Sequence, residues 1–149
     1  MNIYFACSIT GGREYESVYQ SIVAALRDDG HEVPTAHLAG SDAGAKEAKL
    51  DPQAVYARDT GWLRACDALI AEVSVPSHGV GYEIGVALGL GKPVLALYQE
   101  GRKVSKMIRG NPDSKLTVMN YQAGGDAIDC VRDYLRALNH SGQRATGSF

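Results

Sequence analysis

The sequence predicts an α/β fold, in which an open parallel sheet of about five strands carries helices on both faces. Short apolar runs alternate along the chain with longer segments of helical period, and this alternation is typical of such a sheet. Residues 68–73, ALIAEV, are almost continuously apolar, as expected for a strand that is covered on both sides. The Rossmann-like and flavodoxin-like folds have this arrangement.

The same pattern predicts each element in order. The predicted strands are Asn2–Cys7, His31–Thr35, Ala68–Val73, Pro93–Leu97 and Leu116–Asn120. The predicted helices are Tyr15–Asp28, Pro52–Cys66, Val80–Leu90, Val104–Ile108 and Asp126–Leu138. Residues 39–49, AGSDAGAKEAK, are small and polar and are expected to form a mobile loop over the sheet. Residues 1–139 should form one domain, followed by a disordered tail at 140–149.

Composition limits the partners of the protein. The chain has 149 residues, 45% of them hydrophobic, and a formal net charge of −2, so nothing in its charge balance favours a nucleic acid polymer. Its longest apolar run is interrupted by Glu83 and is shorter than the ~18 residues of a membrane span, so no membrane association is expected. Three widely spaced cysteines and a start without a basic leader region indicate a cytoplasmic protein.

No motif for a metal or a cofactor is present. The four histidines do not form an HExxH or a comparable metal spacing. The glycines of GVGYEIG are spaced GxGxxxG, one residue longer than the dinucleotide fingerprint, and no acidic residue ends the following predicted strand. The chain also lacks a GxxxxGK[ST] phosphate loop. We therefore expect a protein without metal or cofactor.

A ligand of a parallel sheet binds beyond the carboxyl ends of its strands. Three segments follow such ends: Ser8–Arg13, Ser74–Glu83 and Gln99–Ser105. The first, SITGGR, opens a helix and can form an anion site, while Ser77 and Ser105 each precede a further helix. Each serine can instead be a simple helix cap, but together they favour a phosphate monoester over a neutral ligand.

Two acidic residues lie on apolar helix faces. Glu83 follows the start of a glycine-rich helix, where helix N–H groups favour its charge and apolar neighbours disfavour it. Asp59 lies in the stripe formed by Val55, Trp62 and Leu63, where an unpaired acid is rare. The alternatives are a solvated Glu83 that complements the helix dipole, and a salt bridge from Asp59 to Arg58 or Arg64, although both arginines project elsewhere on the helix.

Paired acids on helices that flank one strand are typical of glycosidic bond cleavage. In that chemistry one carboxylate acts as the nucleophile and the other assists the leaving group. The transition state carries positive charge, which an adjacent carboxylate stabilises.

Three separated stretches resemble one known family. They are YFACSITGGRE, RDTGWLRACDALIAEVSVPSHGVGYEIG and VSKMIRG, and they resemble the 2′-deoxynucleoside 5′-phosphate N-hydrolases of the nucleoside 2-deoxyribosyltransferase superfamily. The resemblance extends from about Asn2 to Tyr121. It implies hydrolysis of the N-glycosidic bond of a deoxynucleoside monophosphate, giving free base and 2-deoxyribose 5-phosphate through a covalent glycosyl-enzyme intermediate.

The resemblance also implies roles for single residues. Glu83 corresponds to the nucleophile, Asp59 to the acid that helps the base to leave and later activates water, and Tyr4 to the residue that holds the nucleophile. From the residues alone, Tyr4 would be a core aromatic. The implied contacts to phosphate and sugar are Ser8, Ile9, Thr10, Gly11, Arg13, Ser77, Gly79, Ser105 and Met107. Ser105 is implied to come from the partner subunit of a homodimer with a shared active site.

One departure from the family pattern leaves the substrate open. Thr10 in SITGGR stands where the family pattern SIRGGR has arginine. Two enzyme alternatives remain: a nucleoside 2-deoxyribosyltransferase, in which a second base replaces water, and an N-glycosidase of cytidine or hydroxymethylcytidine monophosphate. A non-catalytic nucleotide-binding module is the alternative from another class. Two desolvated acids disfavour it, because a binding site for an anion gains little from them.

Overall fold

The computed structural model describes the backbone of residues 1–145 and the side chains of residues 1–140. Its centre is a sheet of four parallel strands in the order β1-β2-β3-β4. The strands are β1 (Ile3–Ala6), β2 (Ala68–Glu72), β3 (Val94–Gln99) and β4 (Leu116–Tyr121). The predicted α/β class and parallel sheet are confirmed, with four strands instead of about five.

The predicted strand His31–Thr35 is the one that does not form. Its segment lies beside β1 but forms no ladder with it, only an isolated bridge between Glu32 and Asn2, the residue before β1. Pro34 has no N–H to continue a ladder, and the next residue pairs through its side chain: Phe5 N donates to Thr35 Oγ1 at 2.9 Å. The chain therefore leaves the sheet edge at this point.

Six α-helices and one 3-10 helix surround the sheet in the described part of the chain. The α-helices are α1 (Glu16–Asp28), α2 (Ala43–Glu47), α3 (Pro52–Ala65), α4 (His78–Gly89), α5 (Lys106–Arg109) and α6 (Gly124–Ala145). The 3-10 helix spans Ala36–Ala39. The expected loop at residues 39–49 is thus wrong, since α2 occupies much of it. Helix α6 includes the start of the expected tail 140–149, and residues 146–149 lie outside the described residues.

Strand alternation divides the buried side chains into two cores. Ile3, Phe5 and Ile70 pack with α1 and α6 on one face of the sheet. Tyr4 and Leu69 point the other way and pack with α3 and α4. Each helix layer covers one face, which is why nearly every residue of β1 and β2 is fully buried.

Capping residues fix where helices α3 and α4 begin. Helix α3 begins with Asp51, whose side chain accepts from Ala54 N at 3.0 Å, followed by proline at the first helical position. Helix α4 begins after Ser77, which accepts from Val80 N at 3.4 Å. Neither these helices nor the others in the described chain are long and apolar enough to cross a membrane. Both α3 and α4 pack on the Tyr4 face of the sheet, near the carboxyl ends of β1 and β2.

Candidate active site

The centre of the candidate site is a hydrogen bond between β1 and α4. Tyr4 is fully buried in the middle of β1, and its Oη donates to Glu83 Oε1 at 2.6 Å. Glu83 lies in the second turn of α4, and its side chain reaches back to the sheet. The short bond fixes the carboxylate orientation because Tyr4 itself cannot move within the packed core.

The environment of Glu83 raises the pKa of its carboxyl to about 7. Burial is the main cause, and the negative charge of Asp59 adds to it. The hydrogen bond from Tyr4 and the positive charge of Arg58 act in the opposite direction. The pKa of Tyr4 is raised well above its usual range by burial and by Glu83, so Tyr4 stays a neutral donor.

Asp59 is paired, contrary to the expectation from the helical wheel. Arg58 Nε donates to Asp59 Oδ1 at 2.8 Å, although the two residues are neighbours in α3. The long arginine side chain folds back along the helix, and the pitch of the helix therefore does not prevent the contact. The salt-bridge alternative is correct for Arg58, and Asp59 is a half-buried carboxylate with one cationic partner.

Glu83 and Asp59 line the same cavity, whose volume is about 500 Å³. Its wall comes from the end of β1, the first loop, the 3-10 helix, α2, α3 and α4. A cavity of this size is in the range that holds small-molecule ligands. The lining contributes three carboxylates, those of Glu47, Asp59 and Glu83, and among the described residues no basic side chain.

The cavity includes part of the predicted substrate set. Ile9, Thr10, Ser77 and Gly79 line it beside the two acids. Ser8, the first residue of the loop, is not part of the cavity lining; it is fully buried, and its Oγ has no hydrogen-bond partner within the described part of the chain.

Gly11 and Arg13 of the predicted set shape the loop. A Cβ on Gly11 would lie 2.3 Å from Pro76 O, so only glycine allows this approach of the two loops. The Arg13 guanidinium donates to the carbonyls of Leu38 at 2.8 Å and Gly40 at 2.6 Å, among others. Arg13 therefore connects the 3-10 helix to the first loop. The sequence analysis assigned Arg13 to the substrate and did not predict these hydrogen bonds.

Ser105 and Met107 lie apart from the acids. They line a second cavity of about 480 Å³, which shares Ser77 and Val80 with the first. Ser105 caps α5 by accepting from Met107 N at 3.2 Å, and Met107 is 84% exposed. Within one chain these two residues and the acids do not form a single site.

Sequence reasoning missed several lining residues. Tyr56 and Tyr82 form an aromatic pair at the cavity, with ring centroids 6.3 Å apart. Tyr56 precedes Asp59 by three residues on α3, so helical spacing was a usable signal for Tyr56. Tyr82 is adjacent to Glu83 on α4, and helical spacing does not place it on the same face. Glu47 lay in a segment interpreted as a loop, and no signal in the sequence marked it. No group of three or more potential metal ligands occurs among the described residues.

Fold and site together define an α/β protein with two carboxylates at one cavity, the residue types that glycosidic bond cleavage uses. The chain belongs to the nucleoside 2-deoxyribosyltransferase family, whose sequence model matches residues 3–129.

Relatives with assigned names agree with this membership. A putative 2′-deoxynucleoside 5′-phosphate N-hydrolase 1 of Methanosarcina mazei is 43% identical over 137 residues, covering 92% of this chain and 85% of the relative. The 5-hydroxymethyl-dUMP N-hydrolase of Mus musculus is 46% identical over 125 residues, covering 80% and 72%. The human 5-hydroxymethyl-dUMP N-hydrolase is 42% identical over 127 residues, covering 82% and 72%.

Solved structures share the fold. The Clostridium botulinum CMP N-glycosidase BcmB superposes with a TM-score of 0.67 at 22% identity, covering 89% of this chain and 99% of that one. The 2-deoxyribosyltransferase of Bacillus psychrosaccharolyticus gives a TM-score of 0.59 at 22% identity, covering 86% and 90%. At this identity the likeness concerns the fold.

Proposed function

We propose that this protein hydrolyses the N-glycosidic bond of 2′-deoxynucleoside 5′-monophosphates, releasing the free base and 2-deoxyribose 5-phosphate. One observation carries the proposal: the Tyr4–Glu83 hydrogen bond of 2.6 Å holds a half-buried carboxylate beside Asp59 at a cavity of ligand size. Family membership and relatives named N-hydrolases support the same reaction.

Glu83 is the nucleophile in this proposal. Its carboxylate attacks the anomeric carbon and forms a glycosyl ester while the carbon–nitrogen bond breaks and its electron pair leaves with the base. Asp59 begins the cycle protonated on the oxygen that Arg58 does not contact, and it delivers that proton to the departing base. The Asp59 carboxylate then takes a proton from water, whose oxygen attacks the anomeric carbon and frees Glu83. Tyr4 keeps Glu83 in line for both steps.

The first loop and the start of α4 bind the phosphate and the sugar. Ser8, Thr10 and Gly11 belong to the loop, and Ser77 with Gly79 opens the helix, whose free N–H groups favour an anion. The unpartnered Ser8 hydroxyl supports this assignment, since a buried donor requires an acceptor. Binding energy from the phosphate can then assist the reaction at the remote carbon.

A second copy of the chain completes the proposed site. Ser105 and Met107 are exposed in a single chain, and their cavity adjoins the catalytic one through Ser77. In a homodimer Ser105 would contact the phosphate of the neighbouring site. We also propose a cytoplasmic location, because Cys7, Cys66 and Cys130 are free thiols, as is usual in a reducing compartment.

The test is incubation of the purified protein with deoxy- and ribonucleoside 5′-monophosphates and their nucleosides, followed by chromatography for released base. Glu83→Ala is the control. Base release from monophosphates alone, absent in Glu83→Ala, is the expected result. Release that requires an added acceptor base would identify a deoxyribosyltransferase instead. Nucleotide binding without release from any substrate would contradict the enzyme and favour a binding module.

A further inference from the structure

A chain of hydrogen bonds between acidic and basic side chains connects α2 with the catalytic pair. Arg58 Nη1 and Nη2 donate to the two oxygens of Glu47 at 3.0 and 2.9 Å, and Arg58 Nε donates to Asp59 Oδ1 at 2.8 Å. One planar guanidinium thus bridges two carboxylates that both line the cavity. Bidentate geometry makes this arrangement directional as well as strong.

The bridge is shielded from solvent. The side chains of Arg58, Glu47 and Asp59 are 24%, 13% and 16% exposed. The guanidinium lies over the Trp62 ring at 5.0 Å from its centroid, which fixes its plane. Because salt and water screen such a pair only partly, its charges act on neighbouring groups at close range.

The bridge supplies positive charge next to a cavity whose ionisable lining is acidic. Three carboxylates line the cavity and no basic side chain does so among the described residues, yet the proposed substrate is an anion. Arg58 lies behind this lining and brings positive charge to two of the three acids. Without it, bringing a phosphate ester into the cavity would meet uncompensated repulsion.

The groups that face Glu83 come from several elements. Tyr4 approaches from β1, Cys7 lies directly after that strand, Asp59 and Arg58 approach from α3, and Tyr82 is the neighbour of Glu83 on α4. Behind Arg58 are Glu47 of α2 and His37 of the 3-10 helix, whose Nε2 lies 3.7 Å from Glu47 Oε1. Asp59 raises the pKa of Glu83 and Arg58 lowers it, so the two partners of the bridge act in opposite directions.

We infer that Arg58 is a positioning residue for the reaction, anchored by Glu47, that orients the Asp59 carboxylate and offsets the negative charge of the cavity. The inference rests on the proposed N-hydrolase function and adds to it a residue that contacts neither base nor sugar. It also gives α2 a role, because Glu47 fixes the outer end of the bridge.

The test compares Arg58→Met, Arg58→Lys and Glu47→Gln with wild type, and uses Arg64→Met as the matched control, since Arg64 is an exposed arginine of the same helix. The readouts are kcat and kcat/KM against pH, and a carbon-13 titration of the Glu83 carboxyl without substrate. Thermal melting identifies any variant that fails to fold.

Arg58→Met should lower kcat at pH 7 about tenfold or more, and the acid limb of kcat/KM and the Glu83 titration should both move to higher pH. Arg58→Lys should return the limb towards wild type, because it keeps the charge, but not kcat, because it lacks the planar fork. Glu47→Gln should lower kcat without moving the limb upward. Arg64→Met should change neither.

If Arg58→Met has the same kcat and the same acid limb of kcat/KM as Arg64→Met, the inference about Arg58 is overturned. The proposed N-hydrolase function would remain. A wild type that releases no base from any nucleotide would overturn the proposed function. The carboxyl titration would still decide the role of the bridge in that case, since it needs no turnover: a Glu83 titration that does not move in Arg58→Met would exclude that role.

Discussion

The described part of the chain contains two tyrosine–glutamate hydrogen bonds, one on each face of the sheet. On the α3 and α4 face, Tyr4 Oη donates to Glu83 at 2.6 Å. On the α1 and α6 face, Tyr121 Oη donates to Glu72 at 2.8 Å. Glu72 is completely buried and also accepts from the Ser74 hydroxyl and, at 3.2 Å, the Ser74 N–H. Within the described residues Glu83 has no such additional donors, and it lines the 500 Å³ cavity.

This contrast separates a structural acid from a candidate catalytic one. Burial is the first cause of the raised pKa in both Glu72 and Glu83. A perturbed pKa alone therefore does not indicate function. What distinguishes Glu83 is that its carboxylate borders a cavity that a ligand can enter, whereas the donors around Glu72 close it off from any ligand.

The largest expected difference between the pairs is in turnover. Glu83→Gln keeps the shape of the side chain but removes the nucleophile, so kcat for base release should fall by at least about a thousandfold. Glu72→Gln should stay within about threefold of wild type, because Glu72 faces away from the cavity. Initial rates on the best monophosphate measure both, with circular dichroism as the control for folding. Equal losses of kcat in Glu83→Gln and Glu72→Gln would contradict the distinction between a catalytic and a structural acid.

The second difference is in stability. Glu72→Ala leaves the Tyr121 hydroxyl and both Ser74 donors buried without an acceptor, and should lower the free energy of unfolding by about 3 kcal/mol. Urea unfolding at pH 7 measures this loss, and Glu72→Gln, which retains one acceptor, should lose less. A Glu72→Ala variant as stable as wild type would show that water reaches this pair.

The smallest effect is a stabilisation by Glu83→Gln that depends on pH. The folded-state pKa of Glu83 is about 7 and its ordinary value is 4.5, so folding favours the protonated form. Wild-type stability should therefore fall as pH rises from 4.5 to 7. At pH 8 Glu83→Gln should be more stable than wild type by about 2 kcal/mol, and this gain should vanish by pH 4.5. Melting temperatures across this range test it, and a gain independent of pH would contradict the assignment.

The elements of the fold that depend on local sequence were predicted, and those that depend on contacts between distant residues were not. Most helices and strands were predicted near their observed bounds, because their apolar periods are local properties of the sequence. The strand at 31–35 failed because Pro34 and the Thr35 side chain divert the pairing at the sheet edge. Helix α2 was missed because its five residues carry no clear period.

In the candidate site, too, the residues marked by a local pattern were predicted and the contacts between distant residues were not. Glu83 and Asp59 were identified because each carries a charge within an apolar helical pattern, and their catalytic roles stay predictions. Arg13 was assigned to the substrate, and its carbonyl partners 25 to 27 residues away could not be found from spacing. The Arg58 bridge was missed because its rotamer depends on Glu47 and Trp62.

By itself the sequence determined the α/β class, the alternation that buries β1 and β2, and the two helices that carry acids, since these follow from periodicity. Tertiary structure decided that Tyr4 meets Glu83 across 79 residues of chain and that Arg58 joins two carboxylates of one cavity. Such contacts depend on where packed elements meet in space, and the hydrophobic pattern fixes which faces are buried without fixing which side chains then touch.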